Sequence, residues 1–361
     1  MKIETGLPVG RDPETIGTAA QELERQGWDS LVTAETSHDP FFPVLLAAER
    51  TERVELGTGI AVAFARNPMT LANIGYDLQL YSKGRFVLGL GSQIKAHIEK
   101  RFSMPWSHPA ARMRELILAM RAIWSSWNDG EKLDFRGEFY RHTLMTPFFD
   151  PGPNPYGNPK IHLAAVGERM TEVAGEVADG MILHGFTTER YVREVTVPAL
   201  ERGFARGGRD RASFEIGGPL FVVTGTTEEE VAAAKQGTKQ QIAFYGSTPA
   251  YRGVLELHGW GELQTELNSL SKQGEWVKMG ELIDDEMLNT FAVVGEPEDV
   301  PRLMLARYGD LVDRLSFYAP YRSDPERWSG VLDGFRAARK VPSAHAAIDA
   351  AARSGSSSGP K

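Results

Sequence analysis

The segment AETSHDPF at residues 34–41 brings together the titratable side chains of Glu35, His38 and Asp39. A histidine close to carboxylates is suited to moving protons near neutral pH, because the imidazole titrates in that range. Ser37 and Asp39 are equally well explained as caps of a following helix. We therefore expect Glu35 and His38 to take part in proton transfer at a site.

A third candidate for acid–base chemistry is His184, which ends the apolar segment GMILHG. At the end of a strand this side chain faces either a site or a core position where its nitrogens are bonded, and the sequence leaves both open. A metal site is the alternative use of such groups. Its ligands would be drawn from Glu35, His38, His97, Glu99 and His184. Their spacing across a loop matches no fixed coordination geometry, so we expect no metal.

Two segments join small residues to the start of a helix. FVLGLGSQIKAHIEKRF at residues 86–102 has the pattern of a strand, a glycine turn and a helix, which are the parts of a nucleotide-binding unit. Ile94 stands where the dinucleotide fingerprint G-x-G-x-x-G needs its third glycine, which argues against that use. Ala165, Val166 and Gly167 precede another helix, whose free N–H groups favour an anion such as a phosphate.

The composition excludes several classes of function. The chain has 361 residues, a formal net charge of −8 and no cysteine. The acidic balance argues against general nucleic-acid binding, and the lack of cysteine removes disulfides, thiolate nucleophiles and Cys-ligated metals. The N-terminus lacks the apolar core of a signal peptide, and no apolar run is long enough to cross a bilayer. We expect a cytoplasmic protein without nucleic-acid or membrane partners.

Short β-type runs alternate with helical patterns along the chain, which is typical of a parallel sheet covered by helices. Eight runs are predicted strands: Lys2–Gly6, Ser30–Thr33, Val54–Ile60, Phe86–Gly91, Lys160–Ala164, Gly180–His184, Phe214–Val223 and Arg314–Phe317. Eight such units favour a (β/α)₈ barrel, or TIM barrel, over an open doubly wound sheet. Chemistry in such barrels lies at the C-terminal ends of the strands, where the candidate residues above fall.

Two stretches exceed what a minimal barrel needs. Residues 129–159 are crowded with Pro, Gly and aromatic side chains, and they predict a long excursion with a small hairpin. Residues 243–290 contain helical patterns where a loop would suffice, and such insertions form either walls of a site or partner contacts. We expect one domain over residues 1–340 and a disordered tail over 341–361, which is rich in Ala, Ser and Gly.

Four segments, in this order and spacing, resemble the bacterial luciferase-like family of flavin- and deazaflavin-dependent oxidoreductases, and in particular its coenzyme F420-dependent branch: GWDSLVTAETSHDPF, VELGTGIAVAFARNPMTLA, GRFVLGLGSQIKAHIEKRF and DGMILHGF. Two later segments are similar to the same F420-associated group: ELHGWGELQTELNSLSKQGEWVKMGELIDDEMLNTFAVVGEPEDV and DLVDRLSFYAPY. The likeness covers nearly the whole chain up to residue 340. It implies a TIM barrel with the isoalloxazine-like ring of the cofactor across its C-terminal mouth.

The resemblance also implies a non-prolyl cis peptide at the end of the third strand, which matches Gly59 and Ile60, and a cofactor phosphate bound after the fifth strand. The cofactor-binding residues that it implies are Gly59, Ile60, Ala61, Asn67, Ser92, Gln93, Ala165, Val166 and Gly167.

Two positions depart from the family pattern. Many relatives have an acid followed directly by a histidine after the second strand, whereas His38 comes three residues after Glu35 here. Some deazaflavin dehydrogenases have a catalytic Glu after the fourth strand, where this chain has Ile94. Because of the first departure, a role for His38 rests on analogy alone. The second argues against a sugar-phosphate dehydrogenase activity and shifts proton transfer onto Glu35, His38 or His184.

The activity that the resemblance implies is hydride transfer between C5 of coenzyme F420 and a small organic substrate, with the cofactor carrying the redox step. An FMN-dependent monooxygenase on the same barrel is the alternative. A barrel that binds flavin without turnover is a second alternative, and a metal-dependent hydrolase is the last. We also expect a homo-oligomer, most simply a dimer, because oligomers are common among such barrels.

Overall fold

The structure, a computed structural model, describes residues 1–8 and 12–340. Its strands form one large parallel sheet and one small antiparallel hairpin. The strands are β1 (Lys2–Gly6), β2 (Ser30–Thr33), β3 (Glu55–Thr58), β4 (Ala61–Val62), β5 (Phe86–Gly91), β6 (Phe135–Arg136), β7 (Arg141–His142), β8 (Lys160–Ala165), β9 (Gly180–Leu183), β10 (Glu215–Gly217), β11 (Pro219–Val223), β12 (Ala292–Val294) and β13 (Arg314–Tyr318).

The large sheet closes on itself between β10 and β11. Its strand order is β10-β9-β8-β5-β3-β2-β1-β13-β11-β12, with β4 also paired to β5. A single residue, Gly218, separates β10 from β11, so together they form one interrupted strand that pairs with β9 on one side and β13 on the other. The TIM barrel predicted from the sequence is therefore confirmed in the described part of the chain.

Three details differ from the predicted strands. The predicted strand Val54–Ile60 ends at Thr58, and the chain resumes pairing only in β4. The predicted strand Phe214–Val223 is interrupted at Gly218, and β12, which lies outside the barrel beside β11, was not predicted. The predicted hairpin within residues 129–159 is present as β6 and β7.

Helices cover the outside of the barrel. They are α1 (Pro13–Gln26), α2 (Phe41–Arg50), α3 (Pro68–Tyr81), α4 (Lys95–Lys100), α5 (Pro109–Asp129), α6 (Glu168–Val177), α7 (Glu189–Tyr191), α8 (Val197–Gly207), α9 (Glu228–Gly246), α10 (Arg252–Leu257), α11 (Gly261–Gln273), α12 (Trp276–Glu281), α13 (Asp285–Phe291), α14 (Val300–Tyr308) and α15 (Pro325–Lys340). Asp12 caps α1 and Thr227 caps α9, since the side chain of each accepts a backbone N–H in the first turn of its helix. None of the described helices is both long and apolar enough to span a membrane.

The core includes one face of α5. Its buried apolar stripe consists of Leu116, Met120, Ile123, Trp124 and Trp127. The insertion at 243–290 forms helices, as expected, and these build a second apolar cluster beside β11 and β12. The proposed tail at 341–361 lies outside the described residues.

A charged network closes the N-terminal end of the barrel, and we call it the floor network. Arg314, the first residue of β13, donates to Glu4 at 2.6 Å, to Glu215 at 2.8 Å and to Glu55 at 2.9 Å. Lys2 lies 2.6 Å from Glu55 and 3.1 Å from Glu215. Because the three carboxylates satisfy the buried guanidinium, the network fills the barrel without an unpaired charge on Arg314.

His162 lies in the same layer, with its Nε2 atom 3.4 Å from Oε2 of Glu215. Burial, reinforced by the nearby Arg314, lowers the pKa of His162 to about 3. The ring is therefore neutral near neutral pH, and this contact is not an ion pair under those conditions. Its Nε2 is buried and has no hydrogen-bond partner.

Gly89, in the middle of β5, permits the close approach of β3 and β5. Thr58 donates its hydroxyl to the carbonyl of Gly89 at 2.7 Å and accepts the Gly89 N–H at 3.0 Å. A Cβ atom at position 89 would lie 1.7 Å from the carbonyl oxygen of Thr58. Gly89 of the LGLG pattern thus allows the close contact between β3 and β5 at Thr58, the last residue of β3.

Candidate functional site

A cavity of about 750 Å³ lies within the barrel and extends from the floor network to the C-terminal ends of the strands. At those ends its lining includes Ala34, Gly59, Ile182 and Tyr318. The same cavity continues outside β13, among Trp28, Phe317 and Trp328. We call the part at the C-terminal strand ends the mouth; its walls are mostly small or apolar, with a tyrosine hydroxyl as a polar group.

Glu35 holds the chain at one side of the mouth. Its Oε2 atom accepts the N–H of Val62 at 2.7 Å and an Nη1 hydrogen of Arg66, also at 2.7 Å. Its own N–H donates to the carbonyl of Ile60 at 3.0 Å. Arg66 also reaches Asp39 at 2.9 Å. The carboxylate of Glu35, which the sequence predicted to transfer protons, is thus hydrogen-bonded to the segment that follows Gly59. Its side chain is only 6% exposed.

The segment 59–62 begins with a cis peptide between Gly59 and Ile60. Gly59 lines the mouth, and Ala61 is buried and pairs with Leu90 through β4. The Ile60 side chain lies against Gly91, where an added Cβ would be 2.9 Å from Cδ1 of Ile60.

Other predicted residues have local partners. The side chain of Asn67 accepts the N–H of Thr70 at 2.9 Å and so caps α3. Ser92 donates to the carbonyl of Gln93 at 3.2 Å, and the Gln93 side chain accepts the N–H of Ile94 at 3.0 Å. His38 is exposed on the loop beyond Glu35. For Asn67, Ser92 and Gln93 the structure shows turn and cap roles, and their role toward a cofactor stays a prediction. Proton transfer by His38 also stays a prediction.

His184 lies just beyond β9 between two tyrosine rings that come from the insertion. The centroids of Tyr245 and Tyr251 are each 4.6 Å from that of His184. Nδ1 of His184 accepts the N–H of Phe186 at 3.0 Å, so the proton of the neutral ring is on Nε2. Burial lowers the pKa of His184 to about 4. A neutral imidazole near neutral pH is therefore fixed behind the mouth.

Tyr318, the last residue of β13, is a site residue that the sequence reasoning did not single out. Its hydroxyl oxygen is 2.7 Å from that of Tyr245, and its ring stacks on Phe221 with centroids 4.7 Å apart. Gly185 makes room for it, since a Cβ there would be 2.7 Å from Cδ1 of Tyr318. The signal was available in the segment DLVDRLSFYAPY, because Tyr318 directly follows the predicted eighth strand.

A second cavity of about 660 Å³ lies at the start of α6. It is lined by Val166, Gly167 and Arg169, and on the other side by His108 and Tyr251. Gly167 is the N-cap of α6 and supplies no side chain, so the first N–H groups of this helix have no side-chain cap there. Free N–H groups with a nearby arginine suit an anion. Tyr251 lines this cavity and also contacts His184.

The described residues contain no group of three or more His, Asp or Glu side chains that could hold a metal ion. Of the ligands considered in the sequence, Glu35 is bound to Arg66 and His184 is packed between tyrosines. The described residues place a tyrosine pair at the barrel mouth, a neutral histidine against Tyr245, and a second cavity that suits an anion at the start of α6.

The chain matches the model of the luciferase-like monooxygenase family over residues 2–314. It belongs to this family. The resemblance noted in the sequence is thus confirmed, and the cis peptide that it implied at Gly59 and Ile60 is present in this luciferase-like barrel.

Three relatives are similar over much of their length. An uncharacterized protein of Mycobacterium tuberculosis is 62% identical over 297 residues, which cover 82% of this chain and 87% of that protein. A 5,10-methylenetetrahydromethanopterin reductase of Archaeoglobus fulgidus is 27% identical over 71% of this chain and 74% of its own. Another M. tuberculosis protein, provisionally named as a coenzyme F420-dependent oxidoreductase, is 28% identical over 84% of this chain and 91% of its own.

Among solved structures, the coenzyme F420-dependent tetrahydromethanopterin reductase of Methanopyrus kandleri superposes with a TM-score of 0.73 at 20% identity, and it covers 92% of this chain and 96% of that one. This likeness shows that the two luciferase-like chains share their fold.

Proposed function

We propose that this chain is a coenzyme F420-dependent oxidoreductase that transfers hydride between C5 of the deazaflavin and a small organic substrate. The observation that carries the proposal is the sequence similarity, over 84% of the chain, to a relative named for F420. Two features of the structure support it: a mouth with small and apolar walls for a planar ring, and a second cavity that suits an anion.

The residues present fit the parts of this cofactor. At the mouth, Gly59 and Ala34 offer backbone and a methyl group, so a flat ring can approach without meeting large side chains. At the second cavity, the first turn of α6 and Arg169 would hold the phosphate of the side chain. When bound, F420 would supply a carbon centre that accepts or gives hydride.

The protein's own contribution would be orientation and control of protons. Glu35 and Arg66 keep the segment after Gly59 in position at one wall of the mouth. His184, neutral and bonded to the Phe186 N–H, would keep its Nε2 proton available toward the tyrosines. A preorganised site of this kind lowers the cost of bringing donor and acceptor carbon atoms together.

Parallel titrations of the purified protein with F420 and with FMN, followed by quenching of cofactor fluorescence, test the proposal. We expect binding of F420 and markedly weaker binding of FMN. The variant Arg169→Met should weaken F420 binding roughly tenfold through loss of one charged hydrogen bond. Arg25→Met, which changes an arginine 75% exposed on α1, is the control and should bind normally. Tight binding of FMN with none of F420 would favour an FMN-dependent monooxygenase instead.

Association into a homo-oligomer stays a prediction. Sedimentation equilibrium of the purified chain tests it, with a dimer as the expected state.

A further inference from the structure

The hydroxyl groups of Tyr245 and Tyr318 are hydrogen-bonded to each other, and together they carry one proton more than this hydrogen bond requires. Their oxygens are 2.7 Å apart, which accommodates a single O–H···O hydrogen bond. Each phenol carries one proton, so one of the two protons lies in that bond and the other is free to be donated elsewhere. The pair can therefore donate one further hydrogen bond or accept one, depending on which oxygen is the donor.

Tyr318 is the member that faces the mouth. It lines the mouth cavity together with Gly59 and Ala34, whereas Tyr245 comes from α9 and lies beside His184. When Tyr245 donates to Tyr318, the proton of Tyr318 is free for a group in the cavity. When Tyr318 donates to Tyr245, its lone pairs can accept a hydrogen bond from such a group.

The ring of Tyr318 is held in this position from two sides. Phe221 stacks on one face at an interplanar angle of 14°, and the backbone of Gly185 lies close to the ring edge. Tyr245 is fixed by its edge contact with His184. A hydroxyl at the edge of a mostly apolar cavity, with its position fixed by packing, is suited to recognise one oxygen of a small ligand.

On this basis, and resting on the proposed F420-dependent function, we infer that the substrate is a small carbonyl compound or the corresponding alcohol, and that Tyr318, backed by Tyr245, exchanges the proton on its oxygen. In reduction, reduced F420, when bound, would supply a hydride with its electron pair to the carbonyl carbon and would release one proton to solvent as it becomes oxidised. The π pair of the C=O bond moves to the oxygen, which takes the proton of Tyr318. Tyr318 regains a proton from Tyr245, and Tyr245 from water. Oxidation of the alcohol runs through the same steps in reverse.

The test uses the protein loaded with oxidised F420, which cannot reduce a ketone, so that a stable complex forms. Binding of F420 is measured first. A protein that does not bind F420 would contradict the proposed function, independently of this inference. Cyclohexanone labelled with ¹³C at the carbonyl is then added, and its C=O stretch is measured by isotope-edited infrared spectroscopy. We expect a shift to lower wavenumber in the wild-type protein, because a donated hydrogen bond weakens the C=O bond.

The shift should be lost in Tyr318→Phe and reduced in Tyr245→Phe. Tyr81→Phe, which removes the hydroxyl of a tyrosine 54% exposed on α3, is the matched control and should keep it. With reduced F420 and the same ketone, Tyr318→Phe should lower kcat about 100-fold with little change in KM, as loss of a general acid does. An unshifted C=O stretch in the wild-type complex, no ketone binding, or full turnover by Tyr318→Phe would each overturn the inference.

Discussion

Oε2 of Glu35 lies 2.7 Å from Nη1 of Arg66, and the same oxygen accepts the N–H of Val62. The acid that the sequence indicated as a proton carrier is therefore committed to holding the chain that follows Gly59. With 6% of the Glu35 side chain and 14% of the Arg66 side chain exposed, water screens this pair only weakly.

Removing one member of the Glu35–Arg66 ion pair should destabilise the protein more than replacing both members with uncharged residues. Arg66→Met leaves the carboxylate of Glu35 buried without its cation, so we expect the free energy of unfolding to fall by about 3 kcal/mol. The double variant with Glu35→Gln and Arg66→Met should recover part of this loss, because no buried charge remains. Urea unfolding of both proteins measures the difference, and equal stabilities would show that the ion pair is not the source of the effect.

Gly89→Ala should be among the most damaging single-methyl additions in the barrel. Its Cβ would be 1.7 Å from the carbonyl oxygen of Thr58, so β3 and β5 would have to separate. We expect a loss of about 3 kcal/mol or more, in the range of overpacked cores. Gly330→Ala on α15 is the control, since a Cβ there meets nothing within 4 Å. It should be neutral or slightly stabilising in the same denaturation experiment.

As the pH is lowered, the free energy of unfolding should fall before the carboxylates become protonated. The pKa of His162 is lowered to about 3 by burial, so as the pH falls from about 6.5 to 5 the unfolded chain binds a proton that the folded chain does not. Stability then falls with pH by about 1.4 kcal/mol per pH unit for this group.

The variant His162→Gln, which does not titrate, should therefore show a flatter stability curve over that range. Stability curves that run parallel for the variant and the wild-type protein would contradict the assignment of a neutral, buried His162. His184, whose pKa burial lowers to about 4, contributes in the same direction in both proteins and cancels from the comparison.

The sequence predicted the barrel and its strand ends because alternating patterns and caps are local signals. The resemblance also implied the cis peptide after β3, whereas the sequence left open whether His184 faces a site or a core position. It did not predict that Glu35 would be bonded to Arg66, since that pair joins residues 31 apart along the chain.

The place of Tyr318 directly after the predicted eighth strand was a local signal for a site residue, but its pairing with Tyr245 could not be predicted from the sequence. Its partner Tyr245 lies 73 residues away on a helix that continues into the insertion, and the pairing depends on how α9 packs over β11 and β13. Gly185, which makes room for the ring, has a role only once the ends of β9 and β13 are neighbours across the mouth. Tertiary contacts of this kind have no local signature in the sequence.

The central claim concerns where a deazaflavin binds, and a crystal structure of the protein with oxidised F420 tests it most directly. We predict that the ring lies in the mouth beside Gly59 and Tyr318, with the phosphate of the side chain at Gly167 and Arg169. F420 bound elsewhere on the barrel, or a mouth that stays empty at saturating F420, would contradict the account.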